Sequence, residues 1–276
     1  MADKNIARYV LRILVITYLF FLVGWPVWLI VHNTFADGLD ALHDALTSPT
    51  VVFSLKLTLA VAVQAVLINT IFGVGISLLL VRYEFPGKRA LSALIDLPLS
   101  VSPVVVGLAL ILVYGPRDGW FGVWLHEHGF NIIFSTTGII LATTFISLPL
   151  VIREIVPVLT ERGIDEEQAA SSLGASPAQA FFRVTLPAIK WALVYGMVLT
   201  FARALGEFGA VKIVSGNLEG RTQTATLLVE QKYQDFEQST AYATAFLLAA
   251  VAVACIAVVT ILRSHTESAS AKRGTS

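Results

Sequence analysis

The chain is organised by long apolar runs separated by short polar links. Six runs are close to the roughly 20 apolar residues that a helix needs to cross about 30 Å of hydrocarbon. They extend over Ile13 to Val31, Leu57 to Val81, Ala90 to Tyr114, Ile132 to Ile152, Trp191 to Val211 and Ala241 to Leu262. The first, second, fourth and sixth carry no charged residue. Runs such as Ala241 to Leu262 lack the apolar/polar alternation of a barrel strand, so the pattern predicts helices. Pro26, Pro98, Pro103 and Pro149 interrupt the runs, which neighbouring helices accommodate by re-satisfying the freed carbonyls where the stretch faces protein or a cavity.

Composition agrees with this reading. Of 276 residues, 56% are hydrophobic and 14% charged, whereas a soluble domain carries about a quarter charged residues. An ordinary soluble globule and a disordered chain are excluded together. The single cysteine, Cys255, cannot form an intrachain disulfide and is expected to pack within its apolar run. Nineteen basic and nineteen acidic residues leave no net charge to attract nucleic acid.

Placement of charge sets the orientation. Thirteen of the nineteen Lys and Arg lie in the N-terminal arm, the second and fourth links and the tail. Five lie in the other three links, and Arg203 lies inside a run. The positive-inside bias places both termini in the cytoplasm, consistent with an even number of crossings. The first run is about 19 residues long with no small-x-small cleavage site after it, so it reads as a retained span rather than a signal peptide. The tail from Ser264 to Ser276, rich in Ser, Ala and Lys, reads as a disordered solvated end. Ala36 to Leu46, with Leu39, Leu42 and Leu46 on one stripe and Asp37, Asp40 and Asp44 opposite, reads as a helix on the outer surface.

The fourth link, residues 160–187, is the longest segment assigned to the cytoplasm and is punctuated as two short helices. Asp165 caps the first, with Glu166 and Glu167 near its positive end, and Gly174 stops it. Ser176 and Gln179 have the form of a capping box, Pro177 takes the first position of the second helix, and Leu186-Pro187 ends it. A compact helix-Gly-helix suits a partner's groove; an amphipathic linker lying on the headgroups is the alternative.

Gln168-Ala169-Ala170, three residues, Gly174, nine residues and Val184-Thr185-Leu186-Pro187 resemble the EAA loop of permease subunits of bacterial ABC importers. The resemblance implies that Gln168, Ala169, Ala170, Gly174, Leu186 and Pro187 couple the chain to a cytoplasmic ATPase. Gln168 stands where the family has glutamate, and Val184 where it has isoleucine. An ionic contact from position 168 is thereby lost, with Glu167 next door a candidate to supply one.

Asp96, Arg203 and Glu207 lie within predicted spans, where each costs about 2.5 to 3.5 kcal/mol at the bilayer centre unless it finds a partner or water. Arg203 and Glu207 are four apart and can pair on one helix. Asp96 lies in Ile95-Asp-Leu-Pro-Leu-Ser-Val-Ser-Pro103, a sequence that suggests a broken helix lining a cavity. These three are candidates for the translocation pathway or its gate; an internal ion pair locking helices together is the alternative.

A second resemblance narrows the family. Ala202-Arg-Ala-Leu-Gly-Glu-Phe-Gly-Ala210 with Val214-Ser-Gly216, and Asp96-Leu-Pro-Leu-Ser-Val-Ser-Pro-Val-Val104 upstream, are similar to sulfate/thiosulfate importer permeases. This implies an all-α membrane protein with the six-span type I ABC importer (MetI-like) permease fold in a bacterial cytoplasmic membrane. It also implies a second related permease subunit forming a heterodimer, an ABC ATPase dimer and an external sulfate/thiosulfate-binding protein. Molybdate and other oxyanion permeases are similar too.

The sequence contains no Gly-x-x-x-x-Gly-Lys-[Ser/Thr] loop, so ATP binds on a partner and the chain needs no cofactor of its own. His126, Glu127 and His128 have no second His or Cys cluster to complete a metal site. An intramembrane enzyme using Asp96 or Glu207 lacks a recognisable nucleophile and base, and a passive channel does not explain the loop motif. The reading is a transport subunit.

Overall fold

The computed structural model describes residues 2–36 and 38–273. Helices account for its regular structure, with no strand among the described residues. In chain order they are α1 (Ala2–Leu19), a π-helical turn (Phe20–Gly24), α2 (Trp25–Thr34), α3 (Asp40–Thr47), α4 (Pro49–Arg82), α5 (Lys88–Ser100), α6 (Pro103–Tyr114) and α7 (Gly122–Glu127). Then follow α8 (Thr136–Arg162), α9 (Asp165–Ser172), α10 (Pro177–Ala180), a second π-helical turn (Phe181–Thr185), α11 (Leu186–Leu205), α12 (Gly209–Val214), α13 (Ala225–Gln234) and α14 (Gln238–Arg273).

Five stretches are long and apolar enough to cross a membrane: Arg8–Thr34, Pro49–Arg82, Thr136–Arg162, Pro177–Leu205 and Gln238–Ala257. The pair α5 and α6 makes a sixth if counted together, although its two halves meet at 117°. The hydropathy pattern makes Ala90 to Tyr114 one run; the helix breaks at Val101-Ser102 because Pro103 drives Ser102 to extended geometry (ψ 135°).

The fifth apolar run covers Trp191 to Val211, but the continuous helix covers Pro177–Leu205. Contrary to the sequence expectation, Leu186-Pro187 does not end the preceding helix. The π-helical turn Phe181–Thr185 inserts an extra residue just before Pro187, where the ladder loses a donor, and the helix runs on. At the other end Gly206 interrupts it, so Arg203 lies in α11 while Glu207 lies in the break before α12.

Two smaller differences concern the ends. The helical backbone of α14 extends through Arg273, including ten residues of the stretch that reads as a disordered tail, since neither Pro nor Gly occurs there before Gly274; residues 274–276 lie outside the described residues. The outer-surface helix spans Asp40–Thr47, and Asp37 lies outside the described residues.

The centre of the molecule is the packing of α4, α8 and α11 on one another. Val151 of α8 sits against two glycines: a Cβ at Gly73 of α4 would lie 2.8 Å from Val151 Cγ1, and one at Gly196 of α11 would lie 3.1 Å from Val151 Cα. In lipid, where no hydrophobic gradient separates helix from solvent, such close backbone approach supplies the attraction. Val74, Val151, Ile155, Leu159 and Ile189 fill the layer toward the fourth link. Asn69 of α4, fully buried, donates through Nδ2 to Ser147 Oγ at 2.8 Å and Thr144 O at 3.2 Å, tying α4 to α8 by a polar clasp.

The first long helix behaves differently. From Tyr9 to Phe21 its large apolar side chains are all exposed, and none of the most apolar window of Arg8–Thr34 is buried against the rest of the chain. Its contact with the body runs through α2 against α14.

Candidate coupling loop and membrane charges

The fourth link folds as a rigid elbow. α9 places Asp165, Glu166 and Glu167 in its first turn, favourable to the helix dipole. Asp165 is the first helical residue rather than the cap: Ile164 occupies the cap position and makes no side-chain bond there. Gly174 adopts φ 85°, a conformation that costs other residues about 1 to 2 kcal/mol, and this reverses the chain after α9. The capping box forms in full: Gln179 N donates to Ser176 Oγ at 3.3 Å, and Ser176 N donates to Gln179 Oε1 at 2.8 Å.

One carboxylate oxygen holds the elbow to the bundle. Glu167 Oε1 accepts from Arg82 Nη2 at 2.9 Å and from Thr185 Oγ1 at 2.9 Å, while Arg82 Nη1 donates to Leu159 O at 3.2 Å. The last turn of α4, the end of α8, the first turn of α9 and the π-helical turn thus converge on one point. Arg82 is 12% exposed and Glu167 25%, so the pair is more than a surface contact. Glu167 therefore serves an internal joint.

The six residues singled out for coupling separate into two groups. Gln168, Ala169 and Gly174 are exposed on the elbow, and Ala170 is half-buried beneath Ala175, whose N–H donates to Ala170 O. Leu186 and Pro187 lie beyond the π-helical turn, with Leu186 packed against the buried layer around Val151. At the tip the structure adds a residue that no motif flags in the sequence: Leu173 is 89% exposed. An apolar side chain this bare, flanked by a left-handed glycine, has the form of an anchor.

The membrane charges form two unconnected ion pairs. Arg203 Nη1 lies 2.7 Å from Glu207 Oε2, and the Glu207 side chain is 2% exposed. Glu207 Oε1 also accepts from Ala210 N at 3.0 Å, and its backbone carbonyl accepts from Thr226 Oγ1 at 2.9 Å. Glu207 therefore joins α11, α12 and α13. Asp96 of α5 pairs instead with Arg153 of α8, whose Nε and Nη2 both lie 3.0 Å from Asp96 Oδ1. In the sequence Arg82 and Arg153 serve only to orient the chain; their position at the ends of apolar runs is the available signal. Around His126 and His128 no group of three potential ligands gathers among the described residues. His126 Nδ1 meets Asn131 Oδ1, and His128 Nδ1 meets Trp124 O.

Residues 69–269 match the model of the family described as binding-protein-dependent transport system inner membrane component. The chain belongs to this family. It is 41% identical over 259 residues to the sulfate transport system permease protein CysW of Synechocystis sp., covering 94% of each chain. With CysW of Escherichia coli K12 the identity is 42% over 90% of this chain and 84% of the relative. It is 48% identical to the chloroplastic sulfate permease 2 of Chlamydomonas reinhardtii over 80% of this chain, which spans 60% of that longer protein.

Among solved structures, a bacterial ABC transporter involved in import of the polysaccharide alginate superposes with a TM-score of 0.78 at 15% identity, covering 95% of this chain and 96% of the other. At that identity the likeness establishes the fold. The family and the helices together make the chain a multi-pass membrane component of a transport system.

Proposed function

We propose that the chain is the permease subunit of an ATP-driven sulfate/thiosulfate importer, forming half of the translocation pathway. The observation that carries this reading is identity of 41 to 45% to CysW sulfate permeases across most of the chain. The elbow of residues 163–185 supplies the coupling: Gln168, Ala169, Ala170 and Gly174 meet an ABC ATPase dimer, with Leu173 as apolar anchor, and the Glu167 clamp passes its motion to α4, α8 and α11. Leu186 and Pro187 carry that motion into the membrane. ATP is held by the ATPase, and this chain needs no cofactor of its own.

Asp96, Arg203 and Glu207 belong to the pathway or gate in this reading. The buried Arg203–Glu207 pair, bound to α12 and α13, is the part that must rearrange for the helices around it to part. A second, related permease subunit completes a heterodimer; Escherichia coli K12 has both CysW and CysT, which are 42% and 37% identical to this chain. An external sulfate/thiosulfate-binding protein delivers the anion. A similar alginate transporter is known in complex with its substrate-bound periplasmic protein. Both termini lie in the cytoplasm, following the bias of Lys and Arg toward the links on that side.

The test is uptake of labelled sulfate and labelled molybdate in a strain deleted for this gene and complemented by it. Restored sulfate uptake that a tenfold excess of molybdate leaves in place supports the reading. Restored uptake of molybdate alone transfers the assignment to another oxyanion.

A further inference from the structure

We propose that Arg153 is an exchange station for the transported oxyanion on the cytoplasmic half of the path, with Asp96 as the internal anion that takes its place between passages. The inference rests on the reading of the chain as an oxyanion importer, and it starts from the contrast between two ion pairs. Glu207 is sealed at 2% exposure, whereas the side chains of Arg153 and Asp96 are 57% and 47% exposed. Asp96 of α5 lies within the third apolar run, and Arg153 of α8 directly follows the fourth. An ionised Asp96 facing lipid would be unfavourable, so the open side of the pair faces water or a polar partner surface.

The neighbouring surface is polar in a continuous line. Arg89, Ser92, Asp96 and Ser100 follow one another at spacings of three, four and four on α5, all exposed or half-exposed. Ile95 and Pro98 face the other way and are buried. The line begins at the break at Val101-Ser102 and leads to a cavity of about 640 Å³ lined by Glu84, Lys88, Arg89 and Ser92 beside the apolar Leu80 and Phe85. Val156, one turn past Arg153, forms part of the same wall. The cavity opens at the end of the bundle that carries the elbow, because Arg82, only six residues before Lys88, is bonded to Glu167.

The geometry of the pair suits exchange. Both Arg153 nitrogens converge on a single oxygen of Asp96, leaving the two-oxygen fork of a full guanidinium–carboxylate pair unmade. A tetrahedral dianion presents two oxygens at once and so can form the fork that Asp96 does not. Asp96 then recaptures Arg153, which keeps the anion from being held too tightly to leave.

The test uses the assembled transporter in proteoliposomes, with binding protein and labelled sulfate outside and ATP inside. Arg153→Gln is expected to lower sulfate uptake at least tenfold while ATPase assembly and ATP hydrolysis persist, and Arg153→Lys to recover most of it. Asp96→Asn is expected to slow uptake severalfold and to make sulfate loaded inside the vesicles inhibitory at severalfold lower concentration.

The double variant decides between exchange and a structural lock. If the pair merely locks α5 to α8, removing both charges restores uptake, and that result overturns the proposal. As an exchange station, the double variant stays as slow as Arg153→Gln. Vesicles of phosphatidylcholine alone, compared with vesicles containing phosphatidylglycerol, separate a transported anion from a lipid headgroup. An Arg153→Gln defect that appears only with the anionic lipid overturns the proposal as well. Absence of sulfate uptake by the unmodified transporter would remove the importer reading itself, a result distinct from any of these.

Discussion

Arg82, the last residue of α4, donates to Glu167 in the first turn of α9 across 2.9 Å, joining a membrane helix to the cytoplasmic elbow. Thr185 Oγ1 reaches the same carboxylate oxygen, so three segments distant in sequence depend on one acceptor.

Replacing Glu167 by Ala is therefore expected to cost about 1 to 3 kcal/mol, the value of losing charge-assisted bonds at a partly buried site. Glu167→Gln, which keeps an acceptor for Thr185, should lose less. In the assembled transporter Glu167→Ala should uncouple ATP hydrolysis from uptake, because the elbow then moves without dragging α4. Coupled transport at the normal ratio of ATP to sulfate in this variant would show that the joint carries no force.

Gly174 has φ 85° and open space where a Cβ would be, so backbone strain alone governs Gly174→Ala, at about 1 to 2 kcal/mol. Gly174→Trp adds a bulky group on the elbow's outer surface. The prediction is a chain that inserts normally but no longer copurifies its ATPase. Retention of both the ATPase and sulfate uptake by Gly174→Trp would falsify a docking role for the elbow.

Leu173 packs against little of this chain, and Leu173→Ser should leave the melting temperature of the isolated subunit unchanged within error. The same change should reduce ATPase copurification severalfold. A fall in melting temperature without loss of the ATPase would assign Leu173 to the fold.

Glu207 is sealed between Arg203 and Ala210 N. Arg203→Ala leaves that carboxylate without its counter-charge and is expected to destabilise the subunit by about 2 to 4 kcal/mol. Arg203→Ala with Glu207→Gln should recover part of this, because the uncharged amide introduced there would still accept from Ala210 N. Thermal unfolding in detergent of both single variants and the double variant measures this, and losses that simply add would show the pair to be uncoupled.

A bulkier residue at Gly73 meets Val151 at once, with a Cβ only 2.8 Å from Cγ1. Gly73→Val should cost about 1 to 3 kcal/mol through overpacking. Combining it with Val151→Ala should restore much of the loss, as read from the yield of folded protein.

Much of this architecture is legible in the chain. Apolar runs of bilayer length locate the long helices, and the capping box at Ser176 and Gln179 forms as its residues suggest. What escapes is set by partners distant in sequence. Arg82 looks like a topological anchor until Glu167, 85 positions away, is folded onto it. Arg153 likewise reads as flanking charge, and only the packing of α5 on α8 gives it Asp96. Residues 177–190 mislead for a local reason. Pro187 is a helix stop by ordinary rules, and the extra residue of a π-helical turn has no hydropathy signature.

That uninterrupted passage has a mechanical result. Twenty-nine residues from Pro177 to Leu205 form one shaft about 43 Å long, with the elbow at its base and Arg203 near its top. A tilt of about ten degrees about its midpoint would swing the two ends in opposite directions by about 4 Å each. Thrust delivered at the base thus reaches the sealed carboxylate of Glu207 as a sideways pull through the Arg203 side chain.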